Sequence, residues 1–366
     1  MLKIVGIMPH PPLIIPGVGG GELSRVRQTI AGMERLSRRI RDAEPGCLVV
    51  ITPHGPMLRE GIAVPAAPLL EGDFGDFGAP GAKVTLETDA ALLELLRRET
   101  EGEPLRPLIV AANDRRFRRS FSIDHGAGVP LYYLQQAGLS VPGLHLTYTF
   151  ASRGDLYCFG QALRRAVDAR GIPAAIIASG DLSHRLIPEA PAGYNPRGAE
   201  YDRLLVELLS GGRVEEILTL EERLVEEAGE CALRSFVIAL GALSGQPFKS
   251  EIISYEGPFG VGYLVAELRP SPAGIEGVSS AAEQKAGRNS ADAPGNPVVL
   301  ARQALRHYLE HGRPLEIPEP LPDEFAPRAG AFVSLKKGGE LRGCIGTVEP
   351  VRKNLAEEII MNTVSA

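Results

Sequence analysis

Short, mostly apolar segments alternate with longer amphipathic segments over the first 270 residues, and this pattern constrains the fold more than any other feature. Leu2–Met8, Cys47–Thr52 and Ala174–Ala178 are the clearest apolar runs, and segments with helical periodicity lie between them. Strands that are apolar on both sides are typical of a parallel sheet covered by helices on both faces. The sequence therefore predicts an α/β fold with a central, mostly parallel sheet flanked by helices. Further strands are predicted at 108–111, 144–149 and 263–268, and helices at 22–41, 89–99, 155–170, 201–210, 214–218 and 231–243.

The composition changes after residue 270. Residues 271–296 are rich in Pro, Ala, Gly and Ser and have no apolar periodicity, so they cannot bury enough surface to offset the entropy of ordering. This predicts a flexible linker. An amphipathic helix follows from Pro297 to Gly312, and then a strand at Ala331–Leu335, a turn, a second strand and a helix. We therefore expect one large domain over 1–270 and a small, partial α+β domain over 297–366.

Charge and cysteine content exclude several classes of protein. The formal net charge is −6, with 39 Lys and Arg against 45 Asp and Glu, so a broad nucleic-acid surface is not expected. No segment approaches the roughly 18 consecutive apolar residues of a membrane span. The four cysteines lie far apart and form no CxxC pair. This spacing indicates reduced thiols in a cytoplasmic protein.

Three of the seven histidines follow predicted strands. His10 follows the first strand, His54 follows the second, and His184 follows the strand at Ala174–Ala178. In open α/β sheets, ligands bind at the carboxyl ends of the strands. If these strands are parallel neighbours, the three imidazoles converge on one cleft.

A converging group of imidazoles is typical of a metal site, because neutral imidazole is the commonest protein metal ligand. His10 and His54 are the natural pair, and two histidines with one carboxylate leave coordination positions open for a substrate. Glu226, Glu227 and Glu230 are the nearby carboxylates in the sequence. The first two lie in a run of charges typical of a solvated helix face, whereas Glu230 enters an apolar helix and is the inward candidate.

The remaining histidines have less specific surroundings. His125 follows Asp124 and precedes a Gly-rich turn, so it either binds substrate or caps the turn. His145 lies inside a predicted strand and is expected in the core or on a sheet face. His307 and His311 lie four residues apart on the later helix, and a solvated helix face is the favoured interpretation of that pair.

Four segments together resemble the class III extradiol dioxygenases, the relatives of the protocatechuate 4,5-dioxygenase beta subunit. They are MPHPPLIIP, ITPHGP, DHGAGVPLYYL and ASGDLSH, in this order, and the resemblance extends over nearly all of 1–270. It implies a non-haem Fe(II) held by His10, His54 and Glu230. It also implies that His184 acts as the acid/base residue and that His125 contacts the substrate. The implied reaction opens the ring of a small catecholic or aminophenolic substrate with O₂.

A second resemblance leaves two points open. The segment AGECALRS resembles the Memo-like branch of the same superfamily, some members of which use Cys as a metal ligand. Cys231 is therefore an alternative third ligand to Glu230. Members of this branch are not established ring-cleaving enzymes, so the alternative is a metal-binding protein without ring cleavage. A Zn²⁺ hydrolase built on the same pocket is a further alternative.

The segment LRGCIGTVEP at Leu341–Pro350 resembles the AMMECR family. Bacterial domains of this family are linked with Memo-like and radical SAM proteins, which implies a radical SAM system partner. The resemblance runs from Pro297 to Ala366 and covers only the first part of the usual domain. A homodimer is the expectation from the dioxygenase resemblance.

Overall fold

The computed structural model describes residues 1–65, 67–110, 123–271, 297–317, 321–337, 340–346 and 350–365. The chain divides into two compact units, Met1–Ile275 and Glu276–Ala366. The predicted linker at 271–296 lies outside the described residues except for Ser271. The domain boundaries drawn from the sequence therefore stay predictions.

The first unit contains an eight-stranded mixed sheet in the order β6-β3-β7-β2-β8-β1-β10-β9. The central strands β7, β2, β8 and β1 are parallel, and β10 and β9 continue the sheet as antiparallel strands. This confirms the predicted α/β class with a mostly parallel sheet. The strands of this unit are β1 (Leu2–Met8), β2 (Cys47–Thr52), β3 (Ile62–Pro65), β4 (Leu69–Phe74), β5 (Ala79–Glu87), β6 (Pro107–Val110), β7 (Gly143–Thr147), β8 (Ala174–Ser179), β9 (Phe248–Glu256) and β10 (Tyr263–Pro270), of which β4 and β5 form a separate hairpin.

Strand β8 lies between β1 and β2, and the pairing register aligns the carboxyl ends of all three strands. Met8 pairs with Ser179, and Ile51 pairs with Ala178. Every residue of β2 and β8 is buried, which explains why their sequences are continuously apolar. The predicted neighbourhood of the three strands is confirmed, and the segments that follow them meet at one edge of the sheet.

Helices cover both faces of this sheet and enclose a core on each side. Helices α3 and α5 to α9 belong to one face, and α2 and α4 to the other. Side chains of Asp89, Asp124, Ser152 and Asn195 cap the amino termini of α3, α4, α5 and α6. The helices are α1 (Pro16–Gly19), α2 (Arg27–Asp42), α3 (Ala90–Glu99), α4 (His125–Gln136), α5 (Arg153–Arg170), α6 (Pro196–Ser210), α7 (Val214–Leu218), α8 (Glu222–Ala228) and α9 (Leu233–Ala242).

Helices α5 and α9 touch through their backbones at two glycines. A Cβ added to Gly160 would lie 2.0 Å from the carbonyl oxygen of Ile238, and one added to Gly241 would lie 2.2 Å from the carbonyl oxygen of Tyr157. No side chain fits at these distances. The two glycines are therefore required by the close approach of the helices.

Two differences between the predicted and the observed elements have a clear physical cause. The helix predicted at 22–41 begins only at Arg27, because the glycine-rich stretch before it forms the short helix α1 and a 3₁₀ turn at Gly20–Arg25. The turn predicted after His125 is instead α4, which contains Pro130. Tertiary packing overrides the weak helix propensity of its glycines and proline, because most of its residues are buried.

The second unit contains two helices and an antiparallel hairpin. Helix α10 (Pro297–His311) packs against α11 (Leu355–Ser365), and β11 (Phe332–Lys337) pairs with β12 (Glu340–Gly346). Leu300, Phe325 and Ile360 are among its buried residues. This order of elements agrees with the small α+β unit predicted from the sequence. Within the described parts of both units, no helix is both long and apolar enough to cross a bilayer.

Candidate metal centre

Three imidazoles meet at the edge of the sheet where β1, β2 and β8 end. One ring nitrogen from each of His10, His54 and His125 lies within 4.8 Å of the others. The Nε2 atoms of His10 and His54 are 3.0 Å apart, and the rings of His54 and His125 stack with centroids 4.4 Å apart. The predicted convergence of His10 and His54 is therefore observed, and His125 joins them.

The hydrogen bonds of His10 determine which ring nitrogen carries its proton. Its Nδ1 lies 2.9 Å from Ser179 Oγ, and the Ser179 hydroxyl donates to the carbonyl oxygen of Gly126. Because the serine has only one hydrogen to donate, Nδ1 of His10 must be the donor to Ser179. Nε2 then carries a lone pair, which is the state that a metal ligand requires.

The carbonyl of Gly126 can accept this bond because of Pro130. In an unbroken helix, that carbonyl would accept the N–H of the residue four positions later, but proline has none. The proline inside α4 therefore leaves an acceptor directed at Ser179, and through Ser179 it orients His10.

Burial lowers the pKa of each of the four imidazoles around the site. The pKa of His10, which is 2% exposed, falls well below its ordinary value through burial and then through His54 and His125. Burial, followed by His125, lowers the pKa of His54 to about 4. Burial also lowers the pKa of His125 and of His184. All four rings are thus neutral at pH 7, with a lone pair available to bind a cation or a proton.

The segment before α9 carries both predicted candidates for the third ligand. The Glu230 carboxylate accepts the N–H of Leu233 at 2.6 Å, so it caps the start of α9. The Cys231 sulfur lies 3.6 Å from His10 Nε2 and 3.8 Å from His184 Nε2. Of these two neighbours, the thiol is the group in contact with the imidazoles.

His184 lies in the loop after β8, and its Nε2 approaches the same Cys231 sulfur as His10 does. Backbone bonds hold this loop, because the N–H of His184 donates to Ala228 and the N–H of Leu182 donates to Gly262. Asp181, in the same loop, accepts the N–H of His10 at 2.9 Å and has its second carboxylate oxygen 4.0 Å from His10 Nε2. Burial raises the pKa of Asp181 to about 7. His184 is thus within reach of the imidazole group, as its position after β8 predicts.

The donor geometry fits a single metal ion. Two ligands that are each about 2.1 Å from one ion and at right angles to each other are about 3 Å apart. The His10 and His54 nitrogens have this separation, 3.0 Å. Sulfur ligands form longer bonds of about 2.3 Å, so a sulfur 3.6 Å from His10 Nε2 also fits one ion. Nitrogen and sulfur donors suit Fe, Zn and Cu.

The other histidines lie away from this group or serve it indirectly. His145 is buried in β7, as predicted, and its Nε2 bonds the carboxylate of Asp124 at 2.7 Å. His307 and His311 stack on each other on α10, with centroids 4.5 Å apart, and both bond backbone carbonyls. Neither belongs to a three-donor group among the residues that the structure describes.

Sequence reasoning did not single out Asp124 or Ser179. Asp124 has a recognisable signal, because Asp before a helix is an N-cap, but the Gly and Pro residues after it concealed the helix. Ser179 directly follows the predicted strand at Ala174–Ala178, and its bonds join parts of the chain 53 and 169 positions away. No local pattern could have predicted them.

Comparisons with known proteins cover both units. Residues 5–266 match the family model of the catalytic LigB subunit of aromatic ring-opening dioxygenase, and residues 298–366 match the AMMECR1 model. Protein CA_C1420 of Clostridium acetobutylicum is 38% identical, over 98% of this chain and 78% of that protein. The 2-aminophenol 1,6-dioxygenase beta subunit of a Pseudomonas species is 30% identical over 139 residues, 35% of this chain and 46% of that subunit.

Among solved structures, the uncharacterized protein JW3007 of Escherichia coli K12 matches with a TM-score of 0.48 and 16% identity. This match covers 72% of this chain and 99% of that one. The family model spans more than two thirds of the chain and includes every imidazole of the site. The chain therefore belongs to the LigB family of aromatic ring-opening dioxygenase catalytic subunits, and an AMMECR1 segment follows its LigB domain.

Proposed function

We propose that the LigB domain binds one Fe(II) ion and opens the ring of a small catecholic or aminophenolic substrate with O₂. The observation that carries this proposal is the 3.0 Å separation of two Nε2 atoms, with the lone pair of His10 directed at the site. Family membership supports the reaction class, and the related Pseudomonas subunit supports an aminophenol as one candidate substrate.

In this proposal, His10 and His54 hold the iron. When bound, Fe(II) supplies the Lewis acidity and the electron density that ring opening by O₂ requires. His184 takes a proton from a substrate hydroxyl, since its lowered pKa leaves the ring neutral and able to accept one. His125, stacked beside His54 and next to the partly exposed ring of Phe77, contacts the substrate ring.

The third protein ligand is open to test. Glu230 is the candidate from the sequence, and its carboxylate caps α9. The contact between the Cys231 sulfur and His10 Nε2 favours sulfur instead. That contact also favours a second candidate function, a Memo-like metal-binding protein without ring cleavage, because two histidines with a carboxylate are the set expected of Fe(II) oxygenases.

Iron loading and turnover distinguish the two functions. The protein is loaded with Fe(II) without oxygen and then mixed with O₂ and a panel of catechols and aminophenols, while ring-cleavage products are followed by absorbance. Turnover that is lost in His184→Ala with iron retained, but kept in the remote control His311→Ala, supports ring cleavage. Stoichiometric iron with no turnover across the panel supports the Memo-like function. Occupancy by zinc with ester or amide hydrolysis would refute both.

We also propose a cytoplasmic location, a homodimer, and a radical SAM protein as a partner, with no nucleic-acid or membrane partner. The support for the radical SAM partner is the AMMECR1 segment that follows the LigB domain. Co-purification of the full chain with a co-expressed radical SAM protein tests it, and light scattering tests the dimer. A monomeric protein with which the radical SAM protein does not co-purify would contradict the proposed dimer and the proposed partner.

A further inference from the structure

One largely buried carboxylate beside the imidazoles has no role in the function proposed above. Asp124 lies between β2, β7 and α4, and its side chain is 12% exposed. Its Oδ1 accepts the Thr52 hydroxyl at 2.7 Å and the N–H of Ala127 at 3.2 Å, and its Oδ2 lies 2.7 Å from Nε2 of His145. Both oxygens are thus held by neighbours from three different elements.

The bond from the Thr52 hydroxyl links Asp124 to His54. The only hydrogen of the Thr52 hydroxyl goes to Asp124, so its oxygen is free to accept. It accepts the backbone N–H of His54 at 3.2 Å. Asp124 therefore orients Thr52, and Thr52 holds the backbone from which the His54 imidazole extends.

The bond from the N–H of Ala127 links Asp124 to His125 and His10. Asp124 is the N-cap of α4, and His125 is the first residue of that helix. The next residue, Gly126, accepts the Ser179 hydroxyl, which in turn accepts the Nδ1 proton of His10. The first turn of α4 is thus in contact with the supports of all three imidazoles.

The packing at this turn leaves no room for a side chain at Gly126. A Cβ on Gly126 would lie 2.4 Å from Thr52 Oγ1, 2.9 Å from Asp124 Oδ1 and 3.2 Å from Cδ2 of His54. Burial alone would raise the pKa of Asp124, but hydrogen bonds from His145 and Thr52 hold that pKa well below its ordinary value. The group that accepts these bonds is therefore the carboxylate anion.

We propose that Asp124 is a positioning residue for the metal site, and that through Thr52 and the first turn of α4 it sets where the three imidazoles lie. This proposal rests on the proposed function only in taking His10 and His54 as metal ligands. Asp124 itself touches neither substrate nor metal. Groups that orient metal ligands indirectly affect affinity strongly, typically by about 10–100-fold.

The test compares Asp124→Asn with Asp89→Asn in the full chain freed of metal with a chelator. Asp89 is a matched control, because it is also a buried N-cap, accepts the N–H of Leu92 at 2.9 Å and has a charged partner, Arg170. Asn caps helices as well as Asp does, so both variants keep their caps. Co²⁺ titration followed by visible absorption gives the affinity and the spectrum of the bound ion. We expect about 10–100-fold weaker binding and an altered spectrum only in Asp124→Asn.

A second pair of variants decides the question if Asp124→Asn does not fold. Thr52→Val removes the hydroxyl and keeps the shape, whereas Thr52→Ser keeps the hydroxyl. We expect weaker Co²⁺ binding in the valine variant and wild-type binding in the serine variant. Equal binding by the two Thr52 variants would refute the positioning role of Asp124 but not the metal site. A folded Asp124→Asn protein with wild-type affinity and spectrum would do the same. A wild-type protein that takes up no Co²⁺ would overturn the metal site as well.

Discussion

Replacement of Ser179 by alanine removes the group that joins His10 to α4. The serine is fully buried, its oxygen lies 2.9 Å from His10 Nδ1, and its hydroxyl donates to the Gly126 carbonyl. In Ser179→Ala, both of these partners lose their bond. The carbonyl cannot turn to the helix instead, because Pro130 has no N–H.

The expected loss of stability follows from these two orphaned groups. Each buried polar group without a partner costs about 1–3 kcal/mol, so the variant with two such groups should be less stable by about 2–6 kcal/mol. For a large domain, at about 2–4 °C per kcal/mol, that corresponds to a melting temperature lower by roughly 4–24 °C. The freed His10 ring also loses its fixed proton position, so Co²⁺ binding should weaken about tenfold.

Ser37→Ala is the matched control. Ser37 is also fully buried, on α2, but its hydroxyl has no hydrogen-bond partner in the part of the chain that the structure describes. Its removal should change the stability by less than about 1 kcal/mol and leave Co²⁺ binding unchanged. Urea unfolding of the metal-free proteins measures both variants. If Ser179→Ala unfolds at the same urea concentration as Ser37→Ala, the proposed orientation of His10 is wrong.

Three further predictions concern packing, the third ligand and pH. Gly160→Ala should destabilise the protein by about 3 kcal/mol or more in urea unfolding, because its Cβ would meet a carbonyl of α9, whereas Gly154→Ala, at an open position of the same helix, should be neutral. Cys231→Ser should weaken Co²⁺ binding at least tenfold, and Glu230→Gln should lower the melting temperature while binding Co²⁺ normally; the reverse result would identify Glu230 as the ligand. The metal-free protein should lose stability as the pH falls below about 6.5. Buried His10 has a lowered pKa in the folded protein and stays neutral there, whereas the same histidine in the unfolded chain binds a proton. Urea midpoints from pH 8 to pH 5 should therefore fall more steeply for the wild type than for His10→Gln, and parallel curves would contradict this.

The sequence predicts the central strands well because each is buried on both sides. Leu2–Met8 and Cys47–Thr52 have the predicted bounds, since their apolar runs begin and end with the strand. The hairpin of β4 and β5 was missed, because its strands contain several Gly and charged residues and are partly exposed. Helix α4 was missed because tertiary contacts stabilise it.

The sequence likewise predicts one part of the candidate site and not the rest. The sequence predicts the meeting of His10 and His54, because both follow buried strands that must end at one edge. It cannot distinguish Glu230 from Cys231, because these neighbours lie in an irregular segment where no periodicity fixes which side chain turns inward. The chains of hydrogen bonds through Asp124 and Ser179 depend on residues that are near only in space.

Helix α9 is in backbone contact with its surroundings at both ends. Its far end lies against α5 at Gly241, and the residue before its start, Ala232, has its Cα 2.3 Å from where a Cβ of Gly180 would be. A Cβ at Gly180 or Gly241 would overlap the backbone of its neighbour, so α9 can take this position only with glycine at both places. Cys231 directly precedes Ala232, so the position of its sulfur depends on residues that have no side chain or only a methyl group. A substitution at Gly241, at the opposite end of α9 from Cys231, could therefore move the sulfur without changing any residue that holds an imidazole.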